Sequence, residues 1–311
     1  MFRDSNNSKL YFFMLLRYYF LFLTIRMAHP YSTPQKLALK CIQTRLIQKA
    51  GSFVRRGFKI TIDTQHTSTV CALTDGSRAI YHKKNGSYPE FEEGASYILK
   101  NCTLSDRHGR LCLLVGRSTL KFRTAPLKIS EEAERAAVEL IHPPSYSATG
   151  EEEDLFSRSG YLSLLGKVEK IQKVRMTMSD IPVLDLKMKC GERLLDVSLW
   201  RDEALSELHE GDNVHISHMR ATILASGNAK LQSSNYTTIK IEEVEPVEQE
   251  VEVVGVTEID DNCHLLTADD EIFVVPSEHY CGSIDDLIME LPMKIIVNHV
   301  NKRVVSVQTV N

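Results

Sequence analysis

The sequence predicts a mainly β protein, built as tandem five-stranded Greek-key barrels with short helices. Three observations predict it. From Phe58 onward, apolar residues alternate with polar ones at a period of two, the signature of half-buried strands. The alternating runs fall into three groups with a similar internal order. Stretches rich in Pro, Ser, Gly and acidic residues separate the groups.

The chain opens on LYFFMLLRYYFLFLTI (10–25), apolar except for Arg17 at its centre. A membrane span takes about 20 apolar residues and a central arginine is costly there. Arg3 and Lys9 precede the run as in a secretory signal, but no clean cleavage site follows. Residues 1–32 are read as an apolar leader: either dispensable, with Met27 as the working start, or a signal or anchor. Thr33–Pro34 then predicts a helix start, with Leu37, Cys41, Ile42 and Leu46 as its apolar face and Gly51 as its stop. FKITIDT (58–64), STVCALTDGS (68–77) and RAIYHKK (78–84) read as strands, with a turn at Asp75–Gly76. Residues 92–106 and 109–122 add a strand pair, and 130–141 a helix capped by Ser130. Residues 33–142 thus form a helix followed by a basic barrel.

Residues 143–157 (PPSYSATGEEEDLFS) read as a linker. The central unit, 158–245, has strands at 161–174, 183–189 and 193–200, a short helix in RDEALSELHE, then NVHISHMRATIL and KLQSSNYTTIKI. After the acidic run IEEVEPVEQEVE (241–252), residues 246–311 repeat the order, with a helix at 283–291 capped by Ser283. Five strands with a helix between the third and fourth is the order of the oligonucleotide/oligosaccharide-binding barrel, the OB-fold. In the first unit NGSYPEFEEG stands where that helix would be.

Composition bounds the function. The formal net charge of −4 hides an asymmetry: residues 1–150 hold 22 Lys and Arg against 11 acids, and 151–311 hold 15 against 30. A basic half attracts polyanions and an acidic half repels them. The seven cysteines include no Cys-x-x-Cys pair, which excludes a zinc ribbon or thioredoxin-type motif and fits reduced thiols. His215 and His218 lack thiol or carboxylate company, so no metal and no cofactor is expected. Phosphate-binding, dinucleotide, nucleophile-elbow and zincin motifs are missing, and the chain is read as a non-enzyme.

The stretch VSLWRDEALSELHEGDNVHISH, followed by LQSSNYTTI, resembles the tandem OB-folds of the large subunit of replication protein A and its relatives. A third strand ends in tryptophan, a short polar helix follows, Gly211–Asp212 opens the fourth strand, and a serine-rich fifth strand closes the barrel. The likeness is strongest over 158–245. It implies single-stranded DNA binding in a groove across strands two and three, with Trp200 as a base-stacking aromatic. The chain departs from the pattern at Arg201, where the family usually has glycine, and RATILASGNAK supplies no second aromatic.

Parity gives an independent view of that groove. Leu195, Val197 and Leu199 share one face of their strand, and Leu184, Leu186 and Met188 one face of theirs; these point inward. Trp200 and Ser198 lie on the opposite face, with Lys187 and Lys189 across from them, an arrangement suited to base stacking. Lys173 and Arg175 in the loop between strands one and two, and Arg220 and Lys230 flanking the loop between strands four and five, are candidates for phosphates. In the basic first unit, Arg55, Arg56 and Phe58, with Tyr81 and Lys83, form a second candidate set. The partner expected is single-stranded DNA or RNA in the nucleus, or else the cytoplasm. Secretion, or contact with a membrane, depends on residues 1–26 being a real signal. The competing reading is an OB-fold scaffold that binds a protein through the acidic 246–311 unit and touches nucleic acid weakly or not at all. A secreted oligosaccharide-binding protein is a third.

Overall fold

The computed structural model describes residues 31–309 apart from 58, 107–108, 224–226, 260–261, 277–278 and 280–282. Residues 1–30 of the leader and Phe58 therefore lie outside the described residues, whereas Tyr31 and Ser32 form a short strand. The chain divides into two compact units, Met1–Ser52 with Ile62–Pro144 and Phe53–Thr61 with Ser145–Asn311.

The first unit begins with β1 (Tyr31–Ser32) and β2 (Leu37–Arg56). Where a helix is expected over 33–50, β2 is a 20-residue strand. Leu37 and Cys41 suit a helical face, but Leu39 between them is buried as well, so the core side runs at period two. Pairing of Leu37 with Leu99 and Leu39 with Tyr97 decides the matter, because tertiary pairing overrides local spacing. The two strands expected at 58–64 and 68–77 are one, β3 (Lys59–Thr74). β4 (Ala79–Asn85) follows the expected turn, where the Asp75 carboxylate accepts from the backbone N–H of Ser77 and of Arg78. β5 (Ser96–Lys100), β6 (Thr103–Ser105), β7 (Cys112–Leu114) and β8 (Leu120–Thr124) complete a sheet ordered β1-β6-β7-β4-β3-β2-β5-β8. β5 and β6 are successive pieces of one bent run, broken at Asn101 with its positive φ of 56°. Since β5 pairs with β2 and β7 runs parallel to β4, the sheet curls into the five-stranded order 1-2-3-5-4. Helix α1 (Glu131–Glu139), capped by the Ser130 side chain, packs Ala137 into a small second core with Val70, Ala72, Tyr81 and Ile141.

In the central barrel, β9 (Ser145–Ala148) lies within the stretch expected as a linker and pairs parallel with β10 (Tyr161–Ile171). β11 (Arg175–Met176) is a short edge piece beside β12 (Pro182–Cys190). β13 (Arg193–Trp200) leads into a 3-10 turn (Arg201–Leu205), then β14 (Asn213–Ile223). The expected single fifth strand is split into β15 (Ala229–Gln232) and β16 (Thr238–Ile241) by a turn in which Thr237 N–H donates to the Ser234 carbonyl. The ring closes as β10-β12-β13-β15-β14-β10, with β13 and β15 parallel and the other neighbours antiparallel. That is the OB-fold order. Its core holds the residues that parity assigned inward, Leu184, Leu186, Met188, Leu195, Val197 and Leu199. At the β10–β12 seam the backbones come so close that a Cβ on Gly166 would fall 2.5 Å from the Lys189 carbonyl oxygen.

The third barrel is closed in the same order by β17 (Val247–Ile259), β18 (Asn262–Thr267), β19 (Ile272–Val275), β20 (Met293–Val300) and β21 (Arg303–Thr309). β17 starts inside the acidic run expected to separate the second and third groups. Helix α2 (Ile284–Glu290) sits between the third and fourth strands, capped by the Ser283 hydroxyl.

Candidate nucleic-acid interface

β12 and β13 pair in the register Val183↔Trp200, Asp185↔Ser198, Lys187↔Asp196 and Lys189↔Leu194. These four pairs form the outer face, because the alternate pairs fill the core. Over the middle of this face lies a groove of ≈ 290 Å³, lined by Lys170, Gln172, Asp185, Lys187, Asp196, Ser198, Asn228 and Lys230 among others. It occupies the face of strands two and three where OB-folds take oligonucleotides and oligosaccharides.

Asp185 organises the groove. Its carboxylate accepts from Arg175 through Nε at 3.2 Å and Nη2 at 2.9 Å, and from the Ser198 hydroxyl opposite. Ser198, only 1% exposed, also accepts from Lys230 Nζ at 2.9 Å, and that ammonium lies 4.0 Å from Asp185 Oδ1. Burial disfavours the Asp185 charge, yet the hydrogen bonds from Ser198 and Arg175, with the charges of Arg175 and Lys230, hold its carboxyl below the usual range. One carboxylate thus brings a cation from the loop after β10 and a cation from β15 onto the same strand pair. Lys187 pairs with Asp196 at 2.9 Å. Lys170, Arg175, Lys187 and Lys230 face two acids, so the groove has a formal excess of positive charge.

The expected stacking geometry around Trp200 needs correction. Trp200 stands opposite Val183, whereas Lys187 and Lys189 are opposite Asp196 and Leu194, four and six residues further along. At roughly 3.3 Å per residue the nearer of them is about 13 Å away along the strand. Val183 points outward by parity but is fully buried, and the indole Nε1 of half-buried Trp200 is enclosed with no acceptor among the described residues. The ring closes the end of the face instead of standing free beside lysines. The Trp200 backbone N–H donates to Ser233 Oγ at 2.8 Å, which ties that end to the turn after β15.

Lys189 and Lys173 are exposed, the latter in the loop after β10. Arg220 is exposed and donates to the Tyr161 hydroxyl at 2.6 Å, with its guanidinium carbon 4.8 Å from that ring's centre. Tyr161, His218 and Tyr236 form a cluster of half-buried rings with centroids 5.5–6.4 Å apart. Gln232, opposite Arg220 on one side and Ser198 on the other, joins this cluster to the groove. The cluster was not anticipated. Parity puts Tyr161 outward, but His218 has a positive φ of 53° that breaks the alternation of β14, and Tyr236 lies in a turn that has no period.

Of the second candidate set, in the first unit, Phe58 lies outside the described residues and Tyr81 needs correction. Tyr81 is 7% exposed, packed in the α1 core with the Arg110 guanidinium 3.8 Å from its ring centre, so no base can stack on it. Phe53 is buried too. Arg55, Arg56 and Lys83 are exposed. Among the described residues, no group of three or more His, Cys, Asp or Glu could hold a metal ion, and no helix is long and apolar enough to cross a membrane.

Fold and face together define a tandem OB-fold protein whose central barrel carries a polar, cation-bearing groove on strands two and three. No protein-family profile and no curated protein matches the chain. Among solved structures it is similar to a murine DNA-binding protein bound with double-stranded DNA, at 10% identity over 68% of this chain and 97% of that one, TM-score 0.37. It is also similar to the p204 HINb domain, at 10% identity over 69% and 100%, TM-score 0.37. A replication protein A heterotrimer bound to single-stranded DNA matches over 92% and 96% at 9% identity, TM-score 0.31. With likenesses this distant, the fold assignment rests on the strand order itself.

Proposed function

We propose that the chain binds single-stranded nucleic acid, DNA in the first place, through the central barrel and without catalysis. The observation that carries this reading is the Asp185–Ser198 pair, which gathers Arg175 from the β10–β12 connection and Lys230 from β15 over β12 and β13. Phosphates would meet Lys170, Lys187, Lys230 and Arg175, with Lys173 and Lys189 at the ends. Unstacked bases would extend across Gln232 to the rings of Tyr161, His218 and Tyr236 beside Arg220. Bases in a duplex are already stacked, so rings of this kind favour single strands.

The test is fluorescence anisotropy with a labelled oligo-dT and its duplex counterpart, from about 50 to 200 mM salt. The single strand should bind more tightly than the duplex, and affinity should fall as salt rises. Lys187→Glu combined with Lys230→Glu should weaken binding roughly tenfold or more, as expected when phosphate contacts become repulsions. Unchanged affinity in that variant would move the site off this groove, and no binding at low salt would end the reading.

A further inference from the structure

In the third barrel the same outer face is of opposite character. There β18 and β19 correspond to β12 and β13, and their outward pairs are Leu266↔Ile272 and His264↔Val274. The alternate pairs, Cys263↔Val275 and Leu265↔Phe273, fill the core. Leu266 is 40% exposed and Ile272 55%, although they are large aliphatic residues facing each other at a sheet surface. Gly255 of β17 pairs with Leu266 on its other side, and a Cβ there would sit 3.7 Å from Leu266 Cβ, so the apolar strip runs onto bare backbone.

Acid stands at one end of this strip. The β18–β19 turn places exposed Asp269 and Asp270 at its end, with Glu271 following and the Glu252 carbonyl accepting from Ala268 N–H. Residues 246–311 carry 13 Asp and Glu against 3 Lys and Arg. Lys302, one of those three, is already paired with Glu271 at 2.7 Å. A polyanion is repelled from such a surface, whereas a segment with aliphatic residues and positive charge complements it twice.

We propose that the β18–β19 face of the third barrel is a docking site for a partner protein's segment of alternating aliphatic and basic residues. The aliphatic side chains would cover Leu266 and Ile272, and the basic ones would meet Asp269 and Asp270. The chain would then hold a protein on one OB face and nucleic acid on another.

The test uses the full chain and two labelled synthetic peptides, one alternating Leu and Lys, the other Leu and Glu. The Leu-Lys peptide should bind and the Leu-Glu peptide should not. Leu266→Ser with Ile272→Ser leaves every charge in place and should weaken Leu-Lys binding roughly tenfold, the scale of losing a buried apolar anchor. Asp269→Asn with Asp270→Asn should weaken it roughly fivefold and more so at low salt, since Asn tolerates the positive φ of position 270. Oligo-dT affinity should be unchanged in both variants, and thermal unfolding would show both folded. Equal binding of the two peptides, or full Leu-Lys binding by the serine variant, would overturn the proposal. So would a concentration-dependent dimer of the wild type that the serine variant disperses, since a second copy would then occupy the face. Loss of oligo-dT binding in the serine variant would overturn it too, by assigning the face to nucleic acid.

Discussion

Ser198 and Asp185 face each other across β12 and β13, and the Ser198 hydroxyl donates to the Asp185 carboxylate while accepting from Lys230 Nζ at 2.9 Å. The pair joins the barrel wall to the two basic side chains above it.

Asp185→Asn tests this pair through pH. Burial opposes the Asp185 charge, but Ser198, Arg175 and Lys230 outweigh it and hold the folded carboxyl below its ordinary value. A carboxyl depressed in the folded state adds stability above its unfolded pKa, about 3.9, and loses it as pH falls through the folded value. The wild-type urea midpoint should therefore fall more steeply than that of Asp185→Asn below about pH 4. The other depressed carboxylates, Asp75, Glu90, Glu152, Asp154 and Glu271, are present in both proteins, so the difference curve reports Asp185. A flat difference would mean that the folded state does not favour its charge.

Trp200→Phe separates wall from platform. Enclosing an unpaired N–H costs about 1–3 kcal/mol, and phenylalanine removes that group along with some apolar area. Urea unfolding should therefore place Trp200→Phe within about 1 kcal/mol of the wild type, while Trp200→Ala, which opens the barrel end, loses about 2–3 kcal/mol. Oligo-dT affinity of the phenylalanine variant should stay within roughly threefold of the wild type, because a groove held by charge does not need the indole. A tenfold loss in a fully folded Trp200→Phe protein would return the ring to the binding surface.

Gly166→Ala tests the barrel seam. The new methyl would sit 2.5 Å from the Lys189 carbonyl oxygen and 2.7 Å from Cys190 Sγ, and the first of these is backbone that cannot turn aside. Opening the seam should cost about 1–3 kcal/mol. Hydrogen exchange should show the lost protection concentrated in β10 and β12.

Much of this fold is legible in the sequence because its signal is local. From Val183 to Trp200 every inward residue follows from alternation, and the helices capped by Ser130 and Ser283 follow from their first turns. β2 is not legible in the same way. Leu37 and Cys41 satisfy a helical spacing and a strand spacing at once, and the partner that decides between them, β5, is about sixty residues away. The groove falls between these cases. Parity identifies its outer face, but the register that puts Val183 opposite Trp200 and Asp185 opposite Ser198 is set by where the β12–β13 turn falls. Tyr81 shows the same limit: its strand is correctly read, but the helix that covers it lies some fifty residues further on.

The pairing of Lys187 with Asp196 and of Arg175 with Asp185 means that the groove carries its own competitor for every phosphate. A phosphate that takes either cation displaces a tethered carboxylate before it displaces any dissolved ion. Fewer free counterions are then released than the number of basic residues suggests, and the slope of affinity against salt should be shallower than a count of the lysines implies. Isolated phosphates, which cannot outbid a carboxylate already in place, would be turned away, and a continuous strand offering several at once would not.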